Sequence, residues 1–243
     1  MEKVRINKFL ASNGVASRRE IDNMIKKGQI KINGKIPTSG ERINNDDVIE
    51  INNKILNIED KKEKVYFLLN KPLKVLSSVS DDRGRKTVVD MIETKERVYP
   101  IGRLDYETEG AILLTNDGDL FNKVIHPRTE IYKEYEVTVK GAITDKAITI
   151  LKYGVELEDG ITLPALVKIK EREDTFTKII LSIREGRNRQ IRRMISAVGY
   201  RVEKLKRNKI GEIDISGLRI GEYRSLTEDE IKYLYSMGEV KRK

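Results

Sequence analysis

Seven consecutive residues, IEDKKEK from Ile58 to Lys64, carry almost nothing that could enter a core, and this charged stretch reads as a linker between two parts. A head of residues 1–60 and a body of residues 65–243 then each have to bury their own apolar side chains. With 38% hydrophobic residues in a chain of 243, there are enough for both cores.

In the head, Ile6, Phe9 and Leu10 recur at helical spacing up to Asn13-Gly14, where glycine's access to left-handed backbone ends a helix. Ser17-Arg18-Arg19-Glu20 has the form of a capping box, and Ile21, Met24 and Ile25 give the buried stripe of a second helix that ends at Lys26-Lys27-Gly28. Ile30 and Ile32 alternate with polar residues up to Asn33-Gly34, and the chain is predicted to return through Lys35-Ile36 as a hairpin. Arg18 and Arg19 fall in the first turn of the second helix, off its apolar stripe, where positive charge opposes the helix dipole. That cost points to a use for them.

The body opens on VYFLL, Val65 to Leu69, a buried strand that stops at Asn70-Lys71-Pro72 because proline donates no hydrogen bond. The stretch YPIGRLDYETEG, Tyr99 to Gly110, sets Asp105 two residues after Arg103 in a glycine-bounded turn; AILLTND then reads as a strand closed by an Asp117-Gly118 turn. Asp105 is thereby expected on a loop braced by strands, where reactive side chains tend to sit. In KEYEVTVKG, Tyr135, Val137 and Val139 share the apolar side of a strand. Ile191, Met194, Ile195 and Val198 predict a helix ending at Gly199, with Arg192 about 100° round from Ile191 at the border of core and cleft. Thr227 and Glu230 have capping-box form, so a terminal helix over Ile231, Leu234 and Tyr235 precedes the charged GEVKRK tail.

Composition removes several chemistries. Cysteine is absent and His126 is the only histidine, so thiolate and histidine-rich metal sites are excluded, and the IHPRTE context makes His126 a turn residue. No apolar run approaches the ~18 residues of a membrane span, and MEKVRINKFL lacks the apolar core of a secretory signal, so the expected setting is cytoplasmic, away from membranes. The net charge of +9 is concentrated: between Ile183 and Lys209 ten Lys/Arg face only Glu185 and Glu203, a local net of +8. A solvated helix face is the plain reading of such a run, and a polyanion footprint is the reading that a single concentrated block favours.

Four segments in order, Lys71-Pro72, GRLD with Thr108 and Gly110, Lys133-Glu134-Tyr135, and GRNRQIRR from Gly186 to Arg193, resemble the pseudouridine synthases of the small-subunit-uridine branch. Within that branch SSVSDDRGRKTVVD is most similar to the large-subunit ribosomal enzymes, with a small-subunit target open as the alternative. The head, RINKFLASNGVASRREIDNMIKKGQIKINGK, resembles the αL RNA-binding domain shared by a ribosomal small-subunit protein and tyrosyl-tRNA synthetases. The resemblance implies an α+β fold: a small α-rich αL domain, then a catalytic domain with a mixed, largely antiparallel sheet flanked by helices. It further implies a monomeric enzyme that acts on a uridine in a structured region of ribosomal RNA, breaking the N1–C1′ bond, rotating the base and rejoining it through C5.

No metal or organic cofactor is needed for that isomerisation, because an ionised carboxylate can serve as nucleophile or base. The resemblance assigns this part to Asp105; attack on C1′, addition to C6 and proton removal at C2′ all stay open. Arg192 is its expected ion-pair partner, favouring the charged acid. Tyr135 would stack on the target base, Leu205 would pack near it, and Arg103 would fill the space left by an extruded uridine or bind its phosphate. Arg18, Arg19, Lys71, Arg187, Arg189, Arg193 and Arg207 are expected to contact RNA, and the Asp82–Arg85 turn reads either as a plain loop or as a further contact. Glu107 and Glu109 are read as structural.

Two other classes compete. A non-catalytic ribosome-binding protein would use the same basic surfaces and form no product. A glycoside hydrolase would pair Asp105 with Glu107 or Glu109, yet such enzymes set two carboxylates on opposite sides of a sugar, ~5–10 Å apart, and alternation would put these three on one side. A zinc base deaminase is excluded by the missing cysteines.

Overall fold

The structure, a computed structural model, describes residues 3–38, 40–44, 46–56, 63–126 and 129–237. Most of the expected linker, the Pro127-Arg128 step and the GEVKRK tail lie outside the described residues. Two compact units result, one of residues up to Val65 with the short segments Thr94–Arg97 and Asn116–Gly118, the other of the remainder.

In the first part of the chain β1 (Val4–Arg5), α1 (Ile6–Ser12), α2 (Arg18–Lys26), β2 (Ile30–Ile32), β3 (Arg42–Ile43), β4 (Ile49–Ile51) and β5 (Lys54–Ile55) follow one another. Helix α1 ends as its sequence dictates, with Gly14 at φ +69° and the Val15 N–H donating to the Leu10 carbonyl at 3.0 Å. At the start of α2 the Ser17 hydroxyl accepts from the Glu20 N–H at 3.1 Å. Ile6, Leu10, Ile21, Ile25, Ile30, Ile32, Ile43 and Ile49 meet in one aliphatic core.

The expected hairpin needs correcting. Its turn forms, with Asn33 and Gly34 at φ +50° and +77°, and Ile32 and Lys35 exchange hydrogen bonds of 2.8 and 3.0 Å. The return strand does not: Ile36 is exposed, Pro37 has no N–H to offer, and β2 pairs instead with β4 through Ile30↔Ile51 and Ile32↔Ile49.

Downstream lie β6 (Tyr66–Lys71), β7 (Tyr99–Ile101), β8 (Glu109–Thr115), α3 (Gly118–Ile125), β9 (Lys133–Lys140), α4 (Asp145–Tyr153), β10 (Glu156–Leu157) and β11 (Gly160–Ile161). They are followed by β12 (Leu166–Arg172), β13 (Phe176–Ile183), α5 (Gln190–Ala197), β14 (Val202–Ile210), β15 (Ile213–Asp214), β16 (Tyr223–Ser225) and α6 (Glu228–Ser236). A nine-stranded sheet runs β12-β13-β9-β14-β8-β6-β16, with β7 on β8 and β15 on β14. Every pairing in it is antiparallel except β14 with β8, which joins two antiparallel halves through only Lys206↔Glu109 and Arg207↔Gly110. The fold is thus α+β with the mixed, largely antiparallel sheet that was expected.

Gly110 makes that seam possible. A Cβ there would lie 2.1 Å from the Arg207 carbonyl oxygen, and its φ of +111° is one that side-chain-bearing residues rarely adopt. Leu68, Ala111 and Leu113 of the sheet share a buried cluster with Leu120 and Val124 of α3 and Leu234 of α6. The Thr227–Glu230 capping box forms in full, hydroxyl accepting from the Glu230 N–H and carboxylate from the Thr227 N–H. Helix α3 begins where a turn was expected, at Gly118; a single turn and a helix start share the same Asp-Gly signal.

Candidate active site

Asp105 sits in the turn between β7 and β8, and the backbone of that turn is held at every carbonyl from Leu104 to Thr108. The Ser77 hydroxyl donates to the Leu104 carbonyl at 2.8 Å and accepts from the Leu104 N–H at 3.0 Å. The Asp105 carbonyl accepts from the Thr108 N–H and the Tyr106 carbonyl from the Lys74 N–H. Arg192 donates through Nη2 to the Glu107 carbonyl at 2.7 Å, and Lys71 through Nζ to the Thr108 carbonyl at 2.9 Å. A loop so pinned holds its carboxylate in one place, which is what pre-organised chemistry demands.

The half-buried Asp105 carboxylate opens onto a pocket whose other walls include Thr108, Tyr135, Leu205, Ile183 and Ile191. Tyr135 and Leu205 are 8% and 6% exposed, so each shows the pocket only an edge of an otherwise packed side chain. The Thr108 hydroxyl lines the same space and is buried without a hydrogen-bond partner among the described residues. Arg103, Arg187 and Arg189 reach the rim. Apolar walls, one carboxylate and several guanidiniums suit a flat, polar ring attached to a polyanion.

Arg189, and not Arg192, is the cation that faces the acid. Its Nη1 lies 3.9 Å from Asp105 Oδ2 and its Nη2 3.9 Å from Glu107 Oε2, whereas Arg192 makes no ion pair with Asp105. Helical geometry explains the exchange: Arg192 is directed at the backbone of the turn, while Arg189 precedes α5 in a left-handed conformation, φ +48° and ψ +32°, that swings its side chain toward the acid. Burial and the neighbouring Arg189 loosen Arg192's hold on its proton, with the Glu107 and Asp105 carboxylates opposing them.

Four other expected RNA contacts are committed to the protein itself. Lys71 is fully buried, its Nζ shared between the Pro72 and Thr108 carbonyls, and burial lowers its pKa to about 8 against the pull of Asp105 and Glu109. Arg207 is 3% exposed, donating through Nε to the Ala111 carbonyl at 2.7 Å. Neither can meet a phosphate from such a position. Arg187 donates to the Gly160 and Ile161 carbonyls and to Glu185, and Arg193 forms a two-bond pair with Asp159 at 2.9 Å, so both clasp the β10–β11 hairpin. Asp159 in turn is held well below its ordinary pKa, at about 2, mainly by Arg193.

The basic block between Ile183 and Lys209 is therefore less of a footprint than its charge implied. Arg184 pairs with Glu130 and both Arg187 and Arg193 with Asp159, acids that stand far away in sequence, while Lys209 pairs with Asp214 on the neighbouring β15. Arg103, Arg189, Arg201 and Lys204 remain exposed, as do Arg18 and Arg19 in the other unit. The Asp82–Arg85 turn is organised by Asp81, whose carboxylate accepts from the Arg83 and Arg85 N–H groups and from the Arg85 guanidinium. His126 is exposed, with its carbonyl accepting from the Thr129 N–H. Among the described residues no group of three or more His, Cys, Asp or Glu could hold a metal ion, and no helix is long and apolar enough to cross a membrane.

A pinned aspartate beside a tyrosine-lined, arginine-rimmed pocket is what the fold presents, and the chain has well-matched relatives. The RNA pseudouridylate synthase family matches residues 65–197 and the S4 domain family residues 4–49. The chain belongs to the RNA pseudouridine synthase family and carries an N-terminal S4 domain. Among its relatives, the ribosomal large subunit pseudouridine synthase B of Bacillus subtilis is 44% identical over 239 residues, covering 97% of both chains. The dual-specificity RNA pseudouridine synthase RluF of Escherichia coli K12 is 39% identical over 236 residues, covering 97% of this chain and 80% of the relative. A crystal structure of a pseudouridylate synthase superposes with a TM-score of 0.68 at 32% identity, covering 95% of this chain and 99% of the other.

Proposed function

We propose that this enzyme isomerises one uridine of ribosomal RNA to pseudouridine, that the RNA is of the large-subunit 23S type, and that Asp105 is the essential acid. The observation that carries the reading is the shared pocket: Asp105, Tyr135 and Leu205 line one recess, with the Arg189 guanidinium 3.9 Å from the carboxylate. In this reading an extruded uracil packs between Tyr135 and Leu205, its ribose beside Asp105. The N1–C1′ bond breaks, C1′ joins C5, the C5 proton leaves and N1 takes one up, so nothing is oxidised or hydrolysed. No metal or organic group enters the balance. Arg189 meets the developing charge, Arg192 fixes the turn, and Arg103 fills the gap left in the RNA stack or grips its phosphate.

The large-subunit target is carried over from the name of the Bacillus subtilis relative together with the near-complete length of the match. Residues 1–60 form the αL-type RNA-binding domain in this reading, placing Arg18 and Arg19 on the RNA backbone, and residues 65–243 form the catalytic domain. The protein works as a cytoplasmic monomer.

Purified protein mixed with unmodified 23S-type RNA, without added metal, should generate one carbodiimide-dependent reverse-transcription stop. Asp105→Asn should bind the RNA and produce no stop. Product formation by that variant removes Asp105 from the chemistry, and binding without product by the wild type turns the protein into a passive ribosome-binding factor.

A further inference from the structure

Arg207 was expected on RNA, yet it lies inside the sheet, and its surroundings give it another task. Lys71 on β6, Gly110 on β8, Arg207 on β14 and Tyr135 on β9 are successive register partners, forming one lateral row across the seam. Laterally paired residues project from the same face of a sheet, so the row sets Arg207 directly against Tyr135. Gly110, with no side chain, lets the backbone of Arg207 come close enough to complete the row.

Each contact of that guanidinium then has a structural meaning. Nε is fixed by the Ala111 carbonyl at 2.7 Å, Nη1 is 3.4 Å from the Tyr135 hydroxyl, and the charge lies 5.9 Å from the centre of the Tyr135 ring. Among the described residues Nη2 is buried without any partner, and no carboxylate pairs with this 3%-exposed cation. A buried guanidinium short of acceptors holds to the π-face and hydroxyl available to it, because those are what offset its lost hydration. Tyr135 is fixed in return.

We propose that Arg207 is the positioning residue for Tyr135, locking the ring that forms the base-contacting wall of the Asp105 pocket, and that it makes no contact with RNA. The proposal deepens the pseudouridine synthase reading and rests on it for the identity of the base. Arg207 acts through Tyr135: with the ring locked, an entering uracil meets a wall already in place, and no ordering has to be supplied at the moment of reaction.

The test combines fluorine NMR on the full chain with single-turnover kinetics. With 3-fluorotyrosine at position 135, the wild type should give one sharp resonance that shifts and broadens in Arg207→Met and Arg207→Lys, while a label at Tyr223 is unmoved. Lysine keeps the charge and can reach the Ala111 carbonyl but cannot also span to Tyr135, so Arg207→Lys keeps the test decisive if the methionine variant does not fold. On saturating enzyme the turnover of bound RNA should fall at least about tenfold in Arg207→Lys, with RNA affinity and its salt slope unchanged. In a Tyr135→Leu background the same change should cost less than about twofold. An unmoved fluorine signal in folded Arg207→Lys overturns the proposal. So does a weakened, less salt-dependent RNA affinity with normal turnover, or an equal loss in the Tyr135→Leu background. If the wild type forms no pseudouridine while the fluorine signal responds as stated, the enzymatic reading fails and the positioning role stands.

Discussion

Five consecutive carbonyls, Leu104 to Thr108, each take a hydrogen bond, and two of the donors are cationic side chains that reach in from other elements. The two arginines near Asp105 consequently separate by what they hold. Arg192→Met strips the Glu107 carbonyl of a charged donor and should destabilise the fold by ~1.5–3 kcal/mol in denaturant unfolding. Arg189→Met removes an exposed side chain and should leave unfolding within about 0.5 kcal/mol of wild type while slowing the turnover of bound RNA. Equal unfolding curves for the two would dissolve the distinction. Lys71 gives a pH signature. Its pKa falls from 10.5 to about 8 because burial penalises the ammonium, so between those values the unfolded chain holds a proton that the folded chain has released. Stability therefore rises as pH climbs through this window, and the burial penalty is in full force below about 8. Relative to Lys71→Met, the wild type should gain on the order of 3 kcal/mol from pH 8 to 10.5. Lys133, lowered to about 8 for the same reason, cancels in that difference.

At the scale of elements the seam between β8 and β14 decides the architecture. Two antiparallel halves could pack as separate sheets; they become one because Gly110 lets the Arg207 backbone approach where any side chain would collide. Gly110→Ala adds a carbon 2.1 Å from that carbonyl at a φ of +111°, so it should cost more than about 3 kcal/mol and leave little folded protein, read by circular dichroism and yield of soluble chain. A soluble, normally melting variant would mean the seam can open without loss. The β10–β11 hairpin follows a similar logic, since the arginines of the GRNRQIRR segment that look most like nucleic-acid ligands clasp its backbone and Asp159.

For the whole molecule, net charge is a weak guide to where RNA lies. Much of the positive block is answered by acids from other elements, and the cations that stay exposed, Arg18 and Arg19 among them, are the ones proposed to attract RNA. Replacing both with alanine should weaken RNA binding and flatten the log–log salt dependence by up to about 1.4–1.8, at 0.7–0.9 per phosphate, with turnover of saturating bound RNA preserved. A salt slope equal to that of wild type would take the second helix off the RNA.

Local order in this chain was legible without coordinates. Helix ends at Asn13-Gly14 and Gly199, the Thr227–Glu230 cap and the alternating face of β9 depend on a few neighbouring residues, and Asp105 stood out because a glycine-bounded acid is a local pattern. The Asn33-Gly34 turn was legible for the same reason; the partner strand was not, because Ile30 and Ile32 pair with a strand some twenty residues on. Ser77, which clamps Leu104 from 27 residues away, lies in a segment noted only for its resemblance, and nothing local in it announced the clamp. The choice of Arg189 over Arg192, and the withdrawal of Lys71 and Arg207 from the surface, likewise belong to the tertiary structure. A charge declares its sign in sequence, but its partner and its exposure are set by residues that only folding brings within a few ångströms.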